Sequence, residues 1–374
     1  MEILIFLAIV AAVVIVELIY YRKHAMENLD LDINVSKPVA SYGETIEVIE
    51  VVQNNKRTRL PFLLLKFEAP TAIDFLDKTN TSVSDLQYRE DMLTMKPFSR
   101  HTRKIKALCR KRGYYTFPRV TILSTDLLFI EKFSREYKND AQLTILPQLI
   151  PPEEIMTLLS VTFSEIQRRR TLLTDPFSLS GIREYEPWDP MRSVNWTASA
   201  KTGELMVNVN ASTSTRKVTI FLNLEHYTQR KSTILLEKAI SLAYSYICEL
   251  SLEGVPARVF TNGIDTVTGA PSVSEDSSLD PFVSGTDLAR IDLTHDAISF
   301  PELVESNIGS TSADDFVVVI SPRTDAITQK QLIDLKSKRP SLLWVIPSFK
   351  GNPLPDIDSG LMSSVFNWEV SGHD

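Results

Sequence analysis

Cysteine is nearly absent from this 374-residue chain: Cys109 and Cys248 each stand alone in an apolar stretch, with no second cysteine at a metal-ligand or redox spacing. That excludes a disulfide framework and a cysteine-built zinc site, and it fits a reducing compartment. Histidine is also sparse: five are scattered along the chain, with no pair four residues apart as a helical zinc-protease motif requires. Basic charge is short as well. The net charge of −7 excludes a chain-wide phosphate-binding surface, and the one basic run, Arg168 to Arg170, reads as a solvated helix face or a contact for an acidic partner. There is no glycine-rich phosphate loop, no dinucleotide fingerprint and no Gly-x-Ser-x-Gly elbow, so the usual nucleotide-binding and α/β-hydrolase chemistries lack their central parts.

The chain does have one long apolar run. Ile3 to Tyr21 is long enough at 1.5 Å per residue to approach the span of a bilayer core, and only Glu17 interrupts it, near an end where a carboxylate can reach the interface. Only Glu2 precedes the run, so the basic leader of a secretory signal peptide is missing. Arg22, Lys23 and His24 follow directly. By the positive-inside rule they predict a single-pass anchor over residues 1–24 with the remaining chain cytoplasmic, and with Tyr20 and Tyr21 at headgroup level.

From residue 29 to 150 the pattern is one of short alternating segments divided by turn residues, which predicts a β-sandwich of seven or eight strands. Thr45–Val52 and Phe62–Phe67 have strand composition, and the polar stretch between them reads as a hairpin connection. Lys111 to Tyr115, a basic, glycine and aromatic cluster, reads as a turn with cross-strand packing rather than a nucleic-acid platform. Prolines 147, 151 and 152 close the β region. Residues 151–180 are expected to form a helical linker, broken at Thr174, Asp175 and Pro176.

Beyond the linker, apolar strands alternate with helices: Lys217–Leu224, a helix over Ser232–Leu252 stopped by Gly254, Ala257–Thr261, a helix over Phe300–Asn307, Phe316–Ser321, a helix over Thr328–Lys338, and Leu342–Ile346. Such alternation predicts a doubly wound, mostly parallel α/β sheet. Ligands enter such sheets at the carboxyl ends of strands, which here offer Asn223, Glu225, His226, Tyr227, Ser321 and Asp325. None of these has a spacing that acid–base chemistry requires. The segment 181–209 packs Arg183, Glu184, Tyr185, Trp188, Asp189, Arg192, Asn195 and Trp196 into a short span. Arg, Tyr and Trp dominate interface hot spots, so it reads as a docking surface; equally, it reads as a clasp whose arginines bridge carboxylates and carbonyls.

Three separated stretches, Arg183–Asn208, Lys111–Ile130 and Leu143–Pro151, together resemble the domain-of-unknown-function-58 family. The resemblance implies a membrane-anchored α/β plus all-β chain: transmembrane helix (1–24), β-sandwich (29–150), helical linker (151–180), and a signature segment with a von Willebrand factor A-like domain (181–374). It also implies no catalytic activity and no cofactor. The expected role is that of a membrane-tethered protein-interaction module, an adaptor for a MoxR-type AAA+ ATPase and other membrane subunits, with no nucleic acid involved. A self-associating cell-envelope scaffold is the alternative, and an enzyme a more distant one. In von Willebrand factor A domains an Asp-x-Ser-x-Ser run holds a divalent cation, whereas the matching positions here are Asn223, Glu225 and Tyr227, a degenerate adhesion site without the needed charge. Trp188 also departs, standing where the family more commonly has glycine.

Overall fold

The computed structural model describes all residues except 78–80, 84–86, 173–178, 188, 190, 211–216, 227–230, 274–279, 313, 353–355 and 371–374. The chain divides into two compact units, Met1–Gln148 with Leu288–Arg290, and Leu149–Asp287 with Ile291–Asp374.

The first unit begins with helix α1 (Glu2–His24), which is long and apolar enough to cross a membrane and whose side chains are almost all exposed as far as Tyr20. Twelve strands follow among the described residues: β1 (Leu29–Val35), β2 (Val39–Ala40), β3 (Thr45–Asn54), β4 (Leu60–Ala69), β5 (Ile73–Phe75), β6 (Thr81–Val83), β7 (Gln87–Met95), β8 (Ser99–Cys109), β9 (Gly113–Thr116), β10 (Arg119–Thr125), β11 (Lys132–Lys138) and β12 (Gln142–Ile145). They form three sheets, ordered β1-β3-β8-β5, β11-β10-β4-β7-β6 and β2-β12-β9. Ile46, Val48 and Val52 of β3, Leu63, Leu65 and Phe67 of β4, and Ile105 and Ala107 of β8 share one buried cluster. Their period of two is what a strand with one buried face imposes, and each buried Leu, Ile or Phe contributes about 1.5–3 kcal/mol.

Two expectations are corrected in this unit. The strands outnumber the seven or eight expected, because short segments such as β2, β5 and β6 have too few residues to show a period. Also, β3 and β4 are not a hairpin: β3 pairs with β1 and β8, while β4 pairs with β7 and β10. The stretch between them passes from one sheet to the other and is fixed by the buried Asn54 side chain, which donates to Thr58 O (3.0 Å) and Lys96 O (2.9 Å). In the cluster at Lys111–Tyr115, Lys111 and Arg112 lie in the connection and Gly113 opens β9, which runs antiparallel to β12 and gives the expected cross-strand packing. Gly113, at φ +154°, lies under the Tyr115 ring, where an added Cβ would meet ring atoms at 2.6 Å.

The second unit contains α2 (Pro152–Leu172), β13 (Leu179–Glu184), α3 (Trp196–Thr202), β14 (Met206–Asn210), β15 (Val218–Leu222), α4 (Lys231–Leu252), β16 (Ala257–Asp265), β17 (Pro271–Val273), α5 (Pro281–Ala289), β18 (Ile291–Asp292), α6 (Phe300–Asn307), β19 (Phe316–Ile320), α7 (Ala326–Lys338), β20 (Leu342–Phe349) and β21 (Val365–Val370). The main sheet runs β17-β16-β15-β19-β20-β21. Pairing is parallel from β16 to β21, with β17 and β18 antiparallel on β16. Counting only the parallel strands in chain order gives 2-1-3-4-5, a doubly wound arrangement that reverses direction between β15 and β19. Phe221, Val317, Val319 and Trp344 face one buried cluster with Phe300, Leu303 and Val304 of α6 and Leu332 and Leu335 of α7.

The expected linker is corrected too. Residues 152–172 are a packed helix of the second unit, with Ile155, Leu158 and Thr162 inaccessible and the Thr162 hydroxyl bonded to the buried Tyr246 hydroxyl of α4. The expected break at Thr174–Pro176 lies outside the described residues. Cys109 is buried and Cys248 half-buried; burial pushes both thiols up to about 11, so both stay protonated at neutral pH and make poor nucleophiles.

Candidate functional site

The reversal between β15 and β19 is where an open α/β sheet parts to admit a ligand. Here the gap is closed by side chains. Asn223, one residue past β15, and Ser321, one past β19, are both inaccessible, and Asn223 Nδ2 donates to Ser321 Oγ at 3.1 Å. Asn262, inaccessible within β16, donates through Nδ2 to Asn223 Oδ1 (2.9 Å) and to Ile298 O (2.7 Å), and its own Oδ1 accepts from Leu224 N (2.7 Å). Asn223 Oδ1 accepts a second bond from Glu225 N at 3.1 Å. Gly263 leaves room for the packing around this knot, because a Cβ there would sit 2.6 Å from Ile291 Cγ2.

An ionic chain lies outside this amide network. Arg323 bridges Glu225 (3.0 Å) and Asp325 (2.9 Å), while Glu225 Oε1 accepts from Phe300 N at the start of α6 and Asp325 Oδ1 from the Thr328 hydroxyl at 2.6 Å. Partial burial alone would raise the Asp325 carboxyl, but the Thr328 hydroxyl and the Arg323 guanidinium together hold it below the usual carboxylate range. His226 is exposed and pairs through Nε2 with Leu293 O at 2.8 Å.

The donor set does not fit a divalent cation. A hard cation needs oxygen atoms with free lone pairs and net negative charge, whereas Asn223 is neutral with its oxygen already accepting two hydrogen bonds, and the Glu225 carboxylate is neutralised by a guanidinium. Among the described residues no group of three or more His, Cys, Asp or Glu is placed to hold a metal. Tyr227 lies outside the described residues. Asn262 and Arg323 are members of this network not picked out from the sequence: Asn262 is a lone amide inside β16, and Arg323 stands three residues past β19.

The signature segment forms a separate small module. Strands β13 and β14 pair antiparallel, with a short 3₁₀ turn (Met191–Ser193) and α3 inserted between them. Asn195 organises it. Its Oδ1 accepts from Ala198 N (2.9 Å) as an N-cap, its Nδ2 donates to Asn208 Oδ1 (2.7 Å), and its backbone N–H donates to Met206 O (2.8 Å). Gly203 ends α3 at φ +81°, a left-handed conformation that favours glycine. Arg183 grips Asp189 with two bonds of 2.7 Å and also donates to Glu184 O. The guanidinium and the Glu186 N–H hold the Asp189 carboxyl below its usual range. Tyr185 is half-buried, with its backbone N–H on Leu205 O. Trp188 and the Arg192 side chain lie outside the described residues.

The clasp thus brings Arg183, Asp189 and Asn195 into polar bonds within the module. Trp196, at the first position of α3, stands 63% exposed, and Met191, Ile182 and Leu205 are exposed as well.

No family model matches the chain, and no curated protein does. Among solved structures, the chain is similar to a CARDB domain from Pyrococcus furiosus (12% identity over 32% of this chain and 90% of that one, TM-score 0.20). It is similar also to a non-cellulosomal cohesin from Archaeoglobus fulgidus (14%, 34% and 96%, TM-score 0.22) and to a chain of a type I cohesin–dockerin complex from Clostridium thermocellum (11%, 32% and 100%, TM-score 0.22). Likenesses this slight carry no argument about function.

Proposed function

We propose that this chain is a membrane-tethered protein-interaction module that works without catalysis, an adaptor for a MoxR-type AAA+ ATPase and associated membrane subunits at the cytoplasmic face. The observation that carries the reading is Trp196. Its indole is held out into solvent at 63% exposure by a rigid, internally bonded frame, beside further exposed apolar side chains. An exposed tryptophan on a pre-organised element is the kind of group on which binding energy concentrates, since little ordering entropy remains to be lost when a partner covers it. The closed strand-end network supports a role other than small-molecule or metal chemistry. The resemblance to the domain-of-unknown-function-58 family supports the class of partner, the 2-1-3-4-5 strand order supports a von Willebrand factor A-like second unit, and the basic end of α1 supports cytoplasmic placement.

The test is co-purification from detergent-solubilised membranes of the wild type and of Trp196→Ala, both checked by melting curves. Recovery of an AAA+ ATPase with the wild type and at least about tenfold less with the folded variant is expected, the loss of a hot-spot aromatic costing at least about 2 kcal/mol. Equal recovery would place the docking surface elsewhere; a self-associating scaffold would instead recover only differently tagged copies of this chain.

A further inference from the structure

The loop joining β10 to β11 is an apolar tip. Leu127, Leu128, Phe129 and Ile130 are consecutive and between 49% and 63% exposed. A mobile loop would fold such groups away from water, but this one is locked. The inaccessible Asp126 carboxylate accepts from the backbone N–H groups of Leu128 (3.2 Å), Ile130 (2.8 Å) and Glu131 (2.8 Å), and Phe129 is held at φ +57°, a conformation unfavourable for a side chain of its size. A buried carboxylate and a strained phenylalanine maintain an apolar surface that the soluble unit does not use for its own core.

The position of the tip names what covers it. Leu127 N donates to Glu17 Oε1 of α1 at 2.8 Å, and Glu131 at the base of the tip pairs with Arg22 at 3.1 Å. Glu17 stands five residues before Arg22, about 7.5 Å along a helix, so Leu127 reaches the level of the apolar part of α1 while Glu131 stays at its basic end. The helix is pinned in this register by Tyr20 OH on Thr58 Oγ1 (2.9 Å) and Tyr21 OH on Arg59 O (2.8 Å). Between helix and strand unit runs an open groove of about 800 Å³, lined along one side by Ile9, Val13 and Val16, and on the other by Leu127, Arg57 and Arg59. Apolar walls meeting two exposed guanidinium groups match a phospholipid, with acyl chain below and phosphate above.

We propose that the Leu127–Ile130 tip is a second membrane-inserting element, buried in the same leaflet as the last turns of α1 and in contact with phospholipid at the Arg57–Arg59 rim. The inference rests on α1 being a membrane anchor. Its role is to fix the orientation of the β unit on the bilayer, which a single anchoring helix would leave free to turn about the helix axis. The Leu127–Glu17 bond also gives the only acid within the apolar run a partner at the interface.

The experiment is depth-dependent quenching on the full chain with Cys248→Ser, in vesicles of equal parts phosphatidylcholine and phosphatidylglycerol. A polarity-sensitive fluorophore is attached at Phe129→Cys, at Leu128→Cys as a second tip site, and at Ile9→Cys in the helix. The tip labels are expected to be quenched by shallow spin-labelled acyl chains and shielded from aqueous iodide, and the Ile9 label by deep spin labels. Iodide-accessible tip labels with a membrane-buried Ile9 label would overturn the proposal and leave the anchor standing. Iodide access at all three positions would overturn the anchor reading itself.

Discussion

Arg89 Nε lies 2.9 Å from Asp91 Oδ2 in the first unit, and neither side chain has exposed surface. Arg103 reaches the other Asp91 oxygen at 2.6 Å, and the Glu50 carboxyl is buried beside the pair. Three carboxyl groups share the field of these arginines, the half-exposed Asp77 lying 3.7 Å from Arg89 and 3.8 Å from Arg103. Burial first, then the adjacent Asp91 carboxylate, pushes Glu50 up to about 8, so Glu50 keeps its proton at neutral pH.

Because the folded value of about 8 lies above the ordinary glutamate value of 4.5, folding favours the protonated form. The resulting stability is fully present below about pH 4.5 and is lost as the pH rises through about 8, with a slope approaching about 1.4 kcal/mol per pH unit in between. Glu50→Gln is expected to flatten that slope in urea denaturation of the detergent-solubilised chain and to exceed wild-type stability above about pH 8. An unchanged slope would mean that Glu50 is ionised in the folded state.

Asn262→Ala would leave Leu224 N and Ile298 O without their side-chain partner and return one lone pair of Asn223 Oδ1 to a buried, dry position. The expected loss is about 2–6 kcal/mol, at about 1–3 kcal/mol for each of Leu224 N and Ile298 O, since Asn223 Oδ1 keeps its bond from Glu225 N. Chemical denaturation followed by the fluorescence of the buried Trp344 reads it directly. A loss below about 0.5 kcal/mol would show that water replaces the amide.

Gly113→Ala is expected to destabilise the first unit by about 1–3 kcal/mol, from the positive φ and from the Tyr115 ring that the new methyl would strike. The two causes separate in a double-mutant cycle. In a Tyr115→Ala background the steric part disappears and only the backbone part remains, so strict additivity of the two substitutions would remove the ring from the account.

Lys56 is buried, and its ammonium donates to the backbone oxygens of Ala25 and Glu27 just beyond the end of α1; burial pushes it down to about 8. Lys56→Met keeps the four-atom apolar stem of the side chain and removes both bonds. Faster amide exchange is expected at residues 25–28, with the strands of the β unit unchanged, in hydrogen-exchange mass spectrometry. Uniform protection throughout would mean that the tyrosine contacts of α1 alone fix the joint.

The elements legible in the sequence are those whose burial writes a period into consecutive residues. The apolar run of α1, the strand runs at β15, β19 and β20, and the stripe of Leu235, Leu236, Ala239, Ile240, Ala243, Ile247 and Leu250 along α4 depend only on neighbours a few positions apart. Partner choice leaves no such mark. The alternation in β3 and β4 is the same whether they pair with each other or, as they do, with β8 and β7, because a strand's inward face records that it is covered and not by what. Helix α2 shows the same limit: its period marked a helix, yet its place in the core of the second unit depends on α4, some 80 residues on. Asn223, Asn262 and Ser321 are ordinary polar residues in the linear chain, and only the parallel register of β16, β15 and β19 brings their side chains to one end of the sheet. Sequence alone determined the longer periodic elements and their faces, because those follow from local burial. The tertiary structure decided which groups meet, since the hydrogen bonds that close the strand ends join residues separated by long stretches of intervening chain.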